Sequence, residues 1–165
     1  MKRQITLMAA TLAAISSCTM HEMDIPGIGE GEETVKVQVV PSIRGLEEVT
    51  TRSSVTSGES AVNDINIFFY RDGLLAASEY ITTPSVATFL LAKDVPYNVY
   101  AVANAGRIDP ISKESDMLAY RMSLGSSGFV GTLNGLGVPM VSSREGYTPS
   151  GSLAQLPVSL VRLVS

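Results

Sequence analysis

Hydrophobic and polar residues alternate strictly from Thr34 to Val39, with Val35, Val37 and Val39 on one face and Thr34, Lys36 and Gln38 on the other. That period of two predicts a half-buried strand, which Pro41 is expected to end. Asn66 to Tyr70 (NIFFY) is β-branched and aromatic, and Arg71-Asp72-Gly73 before Leu74-Leu75 puts Asp-Gly where a tight hairpin needs positive φ. Val86 to Leu91 is a further apolar run, closed by Lys93-Asp94 and Val95-Pro96. Tyr97 to Ala103 (YNVYAVA) is apolar at nearly every position, which predicts a central strand covered on both faces, ended by Asn104-Ala105-Gly106.

Further along, Asp109-Pro110 offers an N-cap with proline at the first helical position, and Met117, Leu118, Arg121 and Leu124 recur with helical spacing. One short helix is expected between Pro110 and Leu124. Val138 to Val141 and Leu156 to Val164 (LPVSLVRLV) read as two more strands, separated by a Ser, Gly and Pro turn region. About seven short strands with one helix describe an all-β fold, a β-sandwich. Ser42 to Ala61 is polar and without period, a connection of about twenty residues, longer than a compact domain usually needs. It carries Arg44 and Arg52.

The N-terminus reads as an address. Lys2 and Arg3 precede an apolar stretch from Ile5 to Ile15, too short to span a bilayer, and Ile15-Ser16-Ser17 lead directly into Cys18, the only cysteine. The pattern resembles a bacterial lipobox, which implies a signal over residues 1–17 and lipid on Cys18 as the first residue of the exported form. Acyl chains contribute about 0.8 kcal/mol per buried methylene, enough when several are present to hold a protein at an outer membrane. Removing Lys2 and Arg3 takes the net charge from −4 to −6. Residues 18–33 hold five carboxylates, three glycines and a proline without a sustained period, so they are expected to form a solvated tether, with the folded body over 34–165.

Composition narrows the chemistry. The net charge of −4 leaves no basic surface for nucleic acid. The sole Cys is taken by the lipobox, and the sole His, His21, sits in the tether, so neither a metal cluster nor a catalytic triad is expected. Gly125 to Gly137 (GSSGFVGTLNGLG) fits neither GxGxxG nor GxxxxGK[ST] and reads as a loop. No enzyme activity and no cofactor are expected.

Several segments together resemble the N-terminal domain of the Bacteroidales fimbrillins, the subunits of the type V pilus. These are Thr51-Arg52 before a Ser and Gly-rich stretch with Glu59, Val62-Asn63-Asp64-Ile65 running into Ile67-Phe68-Phe69-Tyr70 and Asp72-Gly73, the strand from Tyr97 to Ala103 with Asn104-Ala105-Gly106, and Val158 to Val164. The resemblance implies a transthyretin-like β-sandwich, a surface fimbrium at the outer membrane, and assembly by β-strand addition with other fimbrial subunits. It also implies an arginine-specific protease that cuts the loop after the first strand. By position in the motif Arg52 matches the cleavage site, with Ser53 the new N-terminus and Arg44 the second candidate. The strand carrying Val35, Val37 and Val39 would then be the exchangeable one. Fimbrillins continue into a second β-sandwich, so the expectation is the N-terminal half of a longer product or a truncated copy, able to accept a strand but lacking the usual one to donate. The alternative is a lipid-anchored, sugar-binding β-sandwich with no pilus role, for which Tyr147 is the exposed aromatic to watch; the lack of Trp weighs against it.

Overall fold

The computed structural model describes residues 28–29, 31–43, 62–82, 86–124 and 137–163. Seven strands and one helix follow in the order β1 (Thr34–Ile43), β2 (Ile65–Arg71), β3 (Leu74–Ile81), β4 (Ala87–Ala92), β5 (Tyr97–Ala103), α1 (Glu114–Leu124), β6 (Met140–Tyr147) and β7 (Leu153–Arg162). Hydrogen-bonded neighbours run β3-β2-β5-β6-β7-β1-β4. Between β6 and β7 only Met140↔Arg162 and Val141↔Val161 pair, so the ladder turns there. The layer β7-β1-β4 then packs face to face on the layer β3-β2-β5-β6, the β-sandwich that the pattern predicts.

Alternation decides which side chains fill the interior. Val35, Val37 and Val39 of β1, Leu156, Val158 and Leu160 of β7, and Phe89 and Leu91 of β4 meet Ile65, Ile67, Phe69, Tyr97 and Val99 from the other layer. Phe69 and Phe89 touch across the layers with ring centroids 4.7 Å apart. β2 and β5 are buried on both faces. Their outward residues Phe68, Tyr70, Tyr100 and Val102 pack beneath Met117 and Leu124 of α1, which is why Tyr97 to Ala103 is apolar almost throughout. The hairpin from β2 to β3 turns at Asp72 and Gly73, both at positive φ (52° and 77°), as the Asp-Gly pair predicts.

Four details differ from the sequence reading. β1 continues through Pro41 to Ile43; beyond Val39 it has left β4 and keeps β7 alone as a neighbour, so a residue without an N–H is tolerated. The helix starts at Glu114 and not at Pro110, because the hairpin claims the intervening backbone: Leu75 N–H donates to the Ser112 carbonyl and Glu114 N–H to that of Gly73. Leu118 is exposed, and Met117 and Leu124 carry the buried side of α1. β6 extends through polar Ser142 to Gly146, so Tyr147 ends a strand opposite Tyr97 and is buried.

Candidate functional site

β1 is the candidate site. It lies between two strands of different origin, antiparallel to β4 from Thr34↔Ala92 to Val39↔Ala87 and parallel to β7 from Lys36↔Leu153 to Ile43↔Leu160. Its three valines are fully buried. Burying each is worth about 1.5 to 3 kcal/mol, or roughly 5 to 9 together, against about 5 to 15 for the stability of a whole domain. Without β1, the inner edges of β4 and β7 would both lack a partner, and Phe89, Leu91, Leu156 and Val158 would lose their cover.

The N-terminal end of β1 is fastened by charge. Glu32 takes a two-pronged contact from Arg71 at the end of β2, with Nη1 to Oε2 and Nη2 to Oε1 both 2.8 Å, and Gly29 N–H also donates to it at 2.8 Å. These donors hold the Glu32 carboxyl down to about 2, Arg71 contributing most. Next to it, Glu33 accepts Lys93 Nζ at 2.8 Å, while its carbonyl takes Lys93 N–H at 2.7 Å. The last two carboxylates of the expected tether thus contact the folded body at the two turns flanking β1. Sequence reading missed both pairs. Their only signal was an excess of acid upstream and a lone cation beside each turn.

Polar residues at the start of β2 and the end of β5 do a different job. Asp64 accepts the N–H groups of Ala105 and Gly106 with its two carboxylate oxygens, both at 3.2 Å. Asn66 donates to the Gly106 carbonyl at 2.8 Å and accepts Ile108 N–H at 2.9 Å. Asn104, held at φ 58°, accepts Asn63 N–H at 2.9 Å and donates to the Val138 carbonyl at 2.9 Å. Buried polar groups must be satisfied, and this cross-linked set ties the start of β2 to the end of β5 and to the entry of β6. Nearby, Tyr100 Oη donates to Glu114 Oε1 at 2.6 Å and Tyr70 Oη to the Ile111 carbonyl at 2.8 Å, locking α1 and the segment before it onto the sheet. Burial, with Glu114 and Asp116 close by, pushes the Tyr70 phenol up to about 12; burial first and Glu114 second also raise Tyr100.

Of the residues singled out from sequence, Val35, Val37 and Val39 come together in the core, whereas Cys18, His21, Arg44, Arg52 and Ser53 lie outside the described residues. Tyr147, the aromatic on which the sugar-binding alternative leaned, faces inward. Among the described residues no group of His, Cys, Asp or Glu is placed to hold a metal ion.

No family model matches the chain, and no curated protein matches it. Solved structures do. A candidate cell adhesion protein from Bacteroides eggerthii aligns over 81% of this chain and 41% of its own at 18% identity, with a TM-score of 0.50. The tip fimbrial protein Mfa3 from Porphyromonas gingivalis, with a C-terminal truncation, aligns over 79% of this chain and 48% of its own (13% identity, TM-score 0.48). A fimbrial assembly protein from Parabacteroides distasonis aligns over 80% and 53% (12% identity, TM-score 0.45). The chain therefore spans between 41% and 53% of the length of these proteins. At 18% identity and a TM-score of 0.50 the first likeness shows a shared fold, a β-sandwich of the kind expected from the sequence.

Proposed function

We propose that this chain is a structural and adhesive subunit of a type V-like fimbria, exported as a lipoprotein with lipid on Cys18 and joined to other fimbrial subunits by β-strand exchange at the position of β1. The observation that carries this reading is the placement of β1: fully buried valines, and strand neighbours on both sides. A cut after Arg52, or after Arg44, by an arginine-specific protease would leave β1 attached only through non-covalent contacts. Its departure would open a slot with two unpaired edges and an apolar floor, the template that β-strand addition uses. A strand with apolar residues at every second position would fill it and restore the lost burial. The lipid on Cys18 would keep the subunit at the outer membrane until exchange removed the segment that carries the anchor.

Treating the folded chain with an arginine-specific protease, then adding a peptide of the sequence Thr34 to Ile43, tests this. Cleavage after Arg52 with Ser53 as the new N-terminus, followed by exchange of the labelled peptide into the body, is the expected result. A body that keeps its own β1 against a large excess of peptide, or that is not cut in this loop at all, would overturn the reading. Labelling with a palmitate analogue, lost in Cys18→Ala, checks the anchor separately.

A further inference from the structure

Past Val141↔Val161 the strands β6 and β7 part company, β6 staying with β5 as far as Tyr97↔Tyr147 and β7 with β1. Among the described residues, β6 from Ser142 onward therefore has a strand neighbour on one side only. A cleft of about 370 Å³ opens there, touched by the four consecutive residues from Val141 to Arg144, by Pro157, Ser159 and Val161 of β7, and by Arg121 of α1. Consecutive strand residues point to opposite faces. A cleft that meets four in a row runs along the edge of β6, where its backbone N–H and C=O groups lie, while β7 contributes alternate residues and hence one face.

The charge of this edge is opposite to that of the chain. Arg121 and Arg144 flank the cleft, and among the described residues no carboxylate lines it, Glu145 being the one acid on this stretch of β6, in a chain of net charge −4. Each guanidinium sits over a ring, Arg121 5.2 Å from Tyr100 and Arg144 5.3 Å from Tyr147, which holds it in place and leaves its N–H groups to others. Arg121 Nε is buried and has no hydrogen-bond partner. Among the described residues the ion pairs are made by Arg71 and Lys93, and Glu114, the helix carboxylate beside Tyr100, is already engaged by Tyr100 and Asn98.

We propose that the free edge of β6 from Ser142 to Glu145 is a second acceptor site, separate from the position of β1, that takes an extended acidic segment of another polypeptide. Its backbone adds as a strand beside β6, and its carboxylates pair with Arg121 and Arg144, in two-pronged geometry where the fork allows. Gly146 marks the far end, since its N–H is spent on Asn98 Oδ1 at 3.0 Å. Isolated anions meet only the arginines; a strand meets the arginines and the edge together. The site is present with β1 in place, so it stands or falls independently of strand exchange.

The uncut chain is titrated with a synthetic peptide of alternating Val and Glu, with its Gln-for-Glu counterpart, and with inorganic phosphate. The Glu peptide is expected to bind about tenfold more tightly than the Gln one, and Arg144→Gln to weaken it by about tenfold. Arg144 is exposed, so this variant keeps the fold; Arg121→Lys, which retains the charge and loses the fork, is expected to weaken binding less. Amides of residues 142–145 should gain protection from hydrogen exchange with the Glu peptide and not with phosphate. Equal binding of the two peptides, indifference to Arg144→Gln, or equal protection by phosphate would overturn the proposal. So would protection appearing along Thr34 to Ile43, which would put the peptide at β1.

Discussion

β1 and β5 are both interior strands with a strand on each side, yet they are held in opposite ways. β5 is sealed on both faces, by the opposite layer and by α1, and its end is tied by Asp64, Asn66 and Asn104. β1 is buried on one face only; its other face carries Thr34, Lys36, Gln38 and Val40 into solvent or half into it. The contacts that fasten its N-terminal end are surface ion pairs, which are worth little individually. Burial of a single stripe ties β1 to the core through one face, whereas β5 is tied through both faces and through a polar lock at its end.

The sharpest test of that contrast is in the shared core. Phe69→Ala, in β2 beside β5, should cost about 3 to 5 kcal/mol, read as a fall in the denaturant midpoint; a loss below 1 would mean the doubly tied half is no firmer than the rest. Asp64→Ala leaves the Ala105 and Gly106 N–H groups without their charged acceptor and should cost about 2 to 3 kcal/mol. Val37→Ala should cost about 2 kcal/mol. In chain cleaved between β1 and β2, adding unmodified peptide Thr34 to Ile43 should recover that loss, while no added peptide should recover the Phe69 or Asp64 variant.

The smallest effect is electrostatic. The Glu32 carboxyl is held down to about 2 from 4.5, so its contribution is complete above pH 4.5 and fades as pH falls from there towards 2. Protection of the amides at the start of β1, taken relative to their intrinsic exchange rates, should fall over that interval in the native chain and show no such step in Glu32→Gln. At the other extreme, the raised Tyr70 phenol means that stability beneath α1 is intact below pH 10 and declines from there to about 12. Tyr70→Phe should flatten that decline, as measured by the thermal midpoint.

What was legible in the sequence is what depends on near neighbours. The stripe Val35, Val37, Val39, the turn at Asp72-Gly73 and the double burial of Tyr97 to Ala103 all follow from local period and turn chemistry, and the structure carries each of them. The remaining features are settled at a distance. Helix α1 starts late because a hairpin forty positions upstream binds the backbone of Ser112 and Glu114 (|i−j| of 41 for Gly73 and Glu114). Tyr147 turns inward because the polar run before it pairs with β5, and polarity gives no sign of that pairing. Glu32 and Arg71 are 39 positions apart, with no period to link them. The cleft beside β6 exists only because two layers diverge, and divergence leaves no mark on residue order.

One consequence follows from β1 lying parallel to β7. Of the described strands, the first to be synthesised takes its place beside the last, with the other five made in between. Contacts of such long sequence separation form slowly. Until β7 has been synthesised, β4 alone among the described strands offers the valines a neighbour within their layer, and the stripe stays half housed while the strands between are made.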